Sequence, residues 1–328
     1  MKGDLRCISR ADLDAARYDA FVAASPTGSP FQLSAWLDAV ATPWQLWVVA
    51  DGQDRWHMAW PDVARRKHRM PYSTQPNYLH TLGPVVAPEL LQPARLSKLH
   101  ETLGVVAQTF TTRYVKVAQS LSPGLPYSAA LHEAGFALTT RYTFRYAPYP
   151  EATDGPAQQL AGYHRSRRRS VKLALEAGFY GEPVTPHDVL RIHQQRLQEP
   201  GFLRASTYRS LETLLQTDIA PATWQLDGIR SADGALQAVA AGVRLGQIEW
   251  ALAESRDAQA SPKQDAMALL HHERLNRVLG AGCTLDYAGS MMPGVAQLLR
   301  SVGAKPVPYV FAQYRARGLA QWLKRVSG

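Results

Sequence analysis

Two kinds of residue in this chain have the type and spacing to do chemistry: an acid delivered by a short strand, and arginines stacked along a helix. The acid is Asp286, in the run Thr284-Leu285-Asp286-Tyr287-Ala288-Gly289-Ser290-Met291-Met292-Pro293-Gly294-Val295. This run reads as a strand, a glycine turn, and a helix opened by a serine cap with a proline close behind. A buried strand that brings a carboxylate to the mouth of a capped helix is a common way to build a small-molecule site. Strand alternation turns Asp286 away from Leu285 and Tyr287, so it either faces a substrate, caps the next helix, or pairs with a core arginine.

The arginines fall in His164-Arg165-Ser166-Arg167-Arg168-Arg169-Ser170-Val171-Lys172. Arg165, Arg168 and Lys172 share one helical face at i, i+3 and i+7, with Arg169 beside them. That stripe suits an anion, and a plain solvated face is the competing reading. A second cluster, Arg65-Arg66-Lys67-His68-Arg69, lies between two expected strands and reads as a solvated surface. With the net charge of +9, such runs fit phosphate-rich partners: tRNA, a nucleotide-linked substrate, coenzyme A or an anionic membrane surface.

The elements that must hold these groups divide into two halves, 1–150 and 151–328, at the Pro/Gly-containing stretch 147–156. In the first half the pattern predicts a helix from Leu33 to Val40, a hairpin of Trp44 to Ala50 and Trp56 to Val63 turning at Asp51-Gly52, and a helix from Leu91 to Phe110. A strand from Tyr114, a short helix ended by Gly135 and a strand to Tyr146 follow. The second half predicts a basic helix to Ala177 stopped by Gly178, a strand, two helices, then three strands (Thr223 to Ile229, Leu236 to Arg244, Gln247 to Glu254) as an antiparallel meander. A helix from Lys263 to Leu279, the strand carrying Asp286, the helix Val295 to Val302 and a last strand through Phe311 complete it.

Hydrophobic and charged contents of 46% and 19% over 328 residues describe a globular α/β (α+β) protein long enough for two cores. No apolar run suits a membrane span, and the N-terminus lacks the apolar stretch of a signal peptide, so the expected location is cytoplasmic. Cys7 and Cys283 fit no metal spacing, His271-His272 have no further ligand nearby, and no G-x-S-x-G elbow or Cys-His pair is present. Simple RNA binding gains nothing from the aromatic residues, which are not interleaved with the basic runs.

The order meander, helix, strand, helix, strand in the second half resembles that of GNAT acyltransferases. Three segments sharpen the resemblance to the FemABX-like branch, in which two GNAT-like domains are fused: Tyr163 to Gly178, Asp286 to Val295, and Leu298 to Tyr309. The entry Pro30-Phe31-Gln32-Leu33-Ser34-Ala35-Trp36-Leu37 extends it weakly into the first half. The resemblance implies two tandem GNAT-like domains, each a mixed, largely antiparallel sheet flanked by helices, the first degenerate and on the acceptor side. It implies transfer of an acyl or aminoacyl group from acyl-CoA or aminoacyl-tRNA to an amine. No cofactor would be bound tightly. The acceptor would be a small molecule or a peptidoglycan or polysaccharide precursor, with tRNA and peripheral membrane contact as further partners. The alternative is a non-catalytic GNAT-like module for an anionic glycolipid or nucleotide-sugar.

Amide formation needs a deprotonated amine, a stabilised oxyanion and a protonated leaving group. The resemblance assigns these to Glu249 as base or orienting group, Asp286 as an amine-orienting group and Tyr309 as proton donor. Cross-strand pairing with Arg244 is the structural reading of Glu249. Backbone around Trp250, Ala251 and Leu252 would meet the donor, and Lys305 an oxyanion or phosphate. The usual glycine-rich pyrophosphate loop is missing before the helix at 263. Ser261 as its cap and Lys263 are what remain there to hold a phosphate.

Overall fold

The computed structural model describes residues 4–41, 43–67, 69–147, 159–199, 204–260, 264–289 and 291–316. The chain folds into two compact units, Met1–Arg141 with Pro308–Gly328, and Tyr142–Val307. The first unit runs through β1 (Asp4–Ser9), α1 (Ala15–Ala24), α2 (Ser34–Val40), β2 (Gln45–Ala50), β3 (Trp56–Asp62), β4 (Ala64–Lys67), β5 (Met70–Thr74), β6 (Val85–Val86), α3 (Leu96–Arg113), β7 (Lys116–Ser120) and α4 (Ala129–Glu133). Strand β8 (Ala137–Tyr146) carries the chain into the second unit. There follow α5 (Arg165–Glu176), β9 (Tyr180–Pro183), α6 (Pro186–Gln194), α7 (Ala205–Leu215), β10 (Thr223–Arg230), β11 (Leu236–Leu245), β12 (Ile248–Arg256), α8 (Ala266–Gly280), β13 (Thr284–Asp286) and α9 (Pro293–Ser301). Strand β14 (Lys305–Arg315) returns to the first unit.

In the first unit β1, β2, β3 and β6 form an antiparallel sheet, and β4, β5, β7 and β14 run side by side with β5 and β7 parallel. Helix α3 buries Leu99, Leu103, Val106, Ala107 and Phe110, one face at helical spacing, among Trp47, Met58 and Trp60. Arg65, Arg66 and Lys67 do not link two strands as the charge run suggests. They form β4, paired to β5 with Arg65 opposite Tyr72. Long charged side chains suit this position because β4 is an edge strand.

The second unit has the strand order β8-β13-β12-β11-β10-β9, parallel only between β12 and β13. This is the meander, helix and strand order read from the sequence. Helices α5 and α8 pack together on one face, and α6 covers β11 and β12. Leu269, Leu270, Leu275 and Val278 of α8 share a core with Val171 and Ala174 of α5, Ala251 of β12 and Leu285 of β13. Each fully buried aliphatic side chain of this kind contributes roughly 1.5–3 kcal/mol. The stretch 148–156 at the expected domain boundary and the expected start of the basic helix at 157–158 lie outside the described residues.

Candidate active site

The parallel ladder between β12 and β13 runs from Ile248 opposite Thr284 to Trp250 opposite Asp286, and stops. Strand β12 continues to Arg256, whereas the next backbone N–H of the β13 chain, at Tyr287, donates to Phe144 at 2.9 Å. The two chains part there. On its other side β12 carries an irregularity: Ala241 faces Ala253 and Gly242 faces Ala251, which leaves Leu252 without a partner on β11. Trp250, Ala251 and Leu252 therefore flank the divergence. Gly242, beside the bulge, makes room for Arg274, because a Cβ there would sit 2.0 Å from Arg274 Nη2. Only glycine lets that guanidinium lie against the strand.

Beneath the strands lies a saturated ion network. Glu249 is fully buried. Its Oε1 accepts from Arg274 Nε at 2.9 Å and Arg277 Nη2 at 2.9 Å, and its Oε2 accepts from Arg277 Nη1 at 2.8 Å. Arg244 stands opposite Glu249 in the register, but the carboxylate goes to the two helix arginines instead. They reach it from α8 one turn apart. Burial pushes the Glu249 carboxyl up, and the Arg274 and Arg277 guanidiniums outweigh it, so the group lies below the usual carboxylate range. Arg277 also binds Asp227 through Nε at 2.9 Å and Nη2 at 2.8 Å, and Arg274 Nη1 donates to Glu254 at 3.1 Å.

Asp286, on the opposite face of its strand from Leu285 and Tyr287, is equally engaged. It accepts from the Thr143 hydroxyl, from Arg145 Nε at 2.7 Å and from the Ala288 N–H at 2.8 Å. It braces the corner where Ala288 and Gly289 take positive φ. Glu249 and Asp286 thus both serve as acceptors for fixed donors.

A third group is not saturated. His271 of α8 and Tyr287 are buried with their rings 5.9 Å apart. Neither nitrogen of His271 and not the Tyr287 hydroxyl has a hydrogen-bond partner among the described residues. His271 Nε2 lies 3.5 Å from Glu254 Oε2, and the Glu254 side chain is 23% exposed, which connects the cluster to solvent. Burial pushes the Tyr287 phenol well above its ordinary value, so it remains a neutral O–H donor. An unpartnered buried polar group costs about 1–3 kcal/mol, and here three such atoms sit at the point where β12 and β13 part. The sequence offered a faint signal for both residues: His271 falls on the apolar face of α8, and the alternation that turns Asp286 outward turns Tyr287 inward.

The basic stripe of α5 is exposed at Arg165, Arg168, Arg169 and Lys172. Arg168 donates to the Ala161 carbonyl at 3.2 Å, and Lys172 lies 3.7 Å from Glu176. The arginine of this run that reaches the second unit's other helix is Arg167, off the stripe. Its Nη1 donates to Asp265 at 2.9 Å, and Asp265 caps α8 by accepting from the Ala268 N–H at 3.1 Å. Ser261, Lys263 and Ser290 lie outside the described residues. The expected serine caps are not the ones used: the N-cap of α8 is Asp265 and that of α9 is Met292, because both helices start farther along the chain than those serines would place them. Lys305 is exposed at the start of β14. Tyr309 belongs to the first unit, whereas Glu249 and Asp286 belong to the second. Among the described residues no group of three or more metal-ligating side chains converges, and no helix is long and apolar enough to cross a membrane.

No family model matches the chain, and no curated protein matches it in sequence. Solved structures do match in fold. FemX superposes with a TM-score of 0.65 at 13% identity, over 92% of this chain and 96% of FemX. The C-terminal domain of a putative lysylphosphatidylglycerol synthetase from Agrobacterium fabrum gives 0.54 at 14%, over 97% of each chain. A tandem GNAT protein from the clavulanic acid biosynthesis pathway gives 0.51 at 14%, over 95% of this chain and 98% of its own. The chain has the FemABX-like, GNAT-type acyltransferase fold.

Proposed function

We propose that the second unit transfers an acyl or aminoacyl group from an activated ester or thioester to an amine, at the divergence of β12 and β13. The observation that carries this reading is the parting of the two strands beyond Trp250 and Asp286, beside the three unpartnered polar atoms of His271 and Tyr287. The amine nitrogen attacks the donor carbonyl carbon, a C–N bond forms, and the C–O or C–S bond to the leaving group breaks. The proton lost by the amine goes to the His271 imidazole, where the resulting cation faces Glu254. The proton gained by the leaving group comes from the Tyr287 phenol, and transfer from His271 restores it. The end of the β13 ladder beyond Trp250 leaves backbone N–H capacity on β12 to stabilise the tetrahedral oxyanion. Glu249 and Asp286 hold this frame.

The start of α8 favours one donor class over the other. In a coenzyme A site the pyrophosphate meets a helix N-terminus. Here the Asp265 carboxylate occupies that end and is itself held by Arg167, which disfavours a second anion there. An aminoacyl ester, as on charged tRNA, fits better than an acyl-CoA. The FemX and lysylphosphatidylglycerol synthetase folds support an acceptor that is a small molecule or a cell-envelope precursor. The test is incubation of the full chain with charged tRNA and, separately, with acyl-CoAs, in the presence of candidate amines, read by mass spectrometry. Amide product from charged tRNA is expected; no product from either donor class overturns the reading.

A further inference from the structure

The first unit holds a cavity that the transfer chemistry leaves unused. It has a volume of about 880 Å³, within the size range of ligand sites. Arg65 and Arg66 on the edge strand β4 and Arg113 at the end of α3 line it, with apolar walls from Pro43, Pro71 and Tyr72. Arg65 and Arg66 have no carboxylate partner among the described residues, and Arg113 lies over the Trp47 ring at 5.0 Å, a contact that leaves its N–H groups available. Gln45 and Tyr114, which also line the cavity, both donate to Asp62 Oδ2, the Gln45 bond being 2.9 Å. Asp62 is fully buried, and its second oxygen, Oδ1, has no hydrogen-bond partner among the described residues.

We propose that this cavity binds a small organic phosphate monoester, its phosphate on Arg65, Arg66 and Arg113 and its apolar body against Pro43, Pro71 and Tyr72. Charge decides the class. Three guanidiniums and no carboxylate line the cavity, and a phosphate monoester near −2 offsets that charge more fully than a carboxylate does. The arginines, not the backbone, must hold the anion, because the nearby end of α3 is its negative pole. Planar guanidiniums give paired N–H contacts to phosphate oxygens, and apolar walls reward a ligand with a body over the bare ion.

The test is calorimetric titration of the full chain with inorganic phosphate and with phenyl phosphate, on the wild type and on the double variant Arg65→Gln, Arg66→Gln. Both arginines are exposed, so the variant keeps the wild-type unfolding midpoint. The expected result is phenyl phosphate binding at least tenfold tighter than inorganic phosphate, with at least a tenfold loss in the variant. Equal affinity in the two proteins, or no binding at millimolar phenyl phosphate, overturns the proposal. Sedimentation with vesicles of phosphatidylglycerol against phosphatidylcholine separates the other phosphate source. Arginine-dependent binding to the anionic vesicles with none to phenyl phosphate overturns the small-molecule assignment. The readout is binding alone, so a failure here is independent of whether the second unit transfers anything.

Discussion

Two buried polar clusters share the core of the second unit, and they differ in completeness. Around Glu249 the carboxylate oxygens meet guanidinium donors from Arg274 and Arg277, and Arg277 is tied further to Asp227. Around His271 and Tyr287 two ring nitrogens and one hydroxyl have no hydrogen-bond partner among the described residues. The clusters touch through Glu254, which accepts from Arg274 and approaches His271. A saturated buried network gives a fixed frame, since each charge already has the partner that offsets its desolvation. An unsaturated one of equal burial lowers stability and persists where something else supplies the missing bonds. Glu249, the residue whose type looked most catalytic, therefore belongs to the frame, and the unsaturated pair is where the proposed chemistry falls.

The comparison breaks most easily at Arg274. Replacing it by Met takes from the buried Glu249 one of its three N–H donors and one of its two guanidiniums, and the expected loss is about 3–5 kcal/mol in urea unfolding. A loss below about 1 kcal/mol would mean that the network is not the frame. Next comes pH, through His193 of α6, whose Nδ1 lies 2.7 Å from the Ser255 hydroxyl. Burial, helped by Arg196, lowers its pKa from 6.5 to about 4. The unfolded chain therefore binds more protons between those values. Stability is full above pH 6.5 and falls as the pH drops towards 4, by up to about 3 kcal/mol. Thermal melts across this range check it, and His193→Gln should flatten the slope. Gly242→Ala forces a Cβ against Arg274 and should cost about 1–3 kcal/mol by the same unfolding measurement. The smallest effect is expected at Tyr287→Phe, which removes an unpartnered buried hydroxyl and should raise stability, by about 1 kcal/mol.

The meander, its flanking helices and the Asp286 corner were legible because glycines stop the helices and apolar residues keep the strand and helix periods. The expected helix ends fall within a few residues of α2, α6, α7, α8 and α9. Strand β1, with a solvated face and few apolar residues, gave no comparable signal, and β4 was hidden by its own charge run. The antiparallel register placing Arg244 opposite Glu249 follows from the short turn at Gly246. The carboxylate's actual partners do not, because Arg274 and Arg277 approach from a helix whose packing no local pattern encodes. The same holds for His271 and Tyr287. Each is readable as an inward residue, but their lack of partners depends on three elements meeting. The anion stripe was readable only as a face. The arginine engaged at the start of α8, Arg167, lies off it.

Turnover of Tyr287→Phe and His271→Asn under the donor that works for the wild type tests the central claim most directly. Amide formation is expected of the wild type, with a loss of about 10²–10⁴-fold in each variant and no lowering of the unfolding midpoint in Tyr287→Phe. Wild-type turnover in both variants would contradict it, and would return the chemistry to Glu249 or Tyr309.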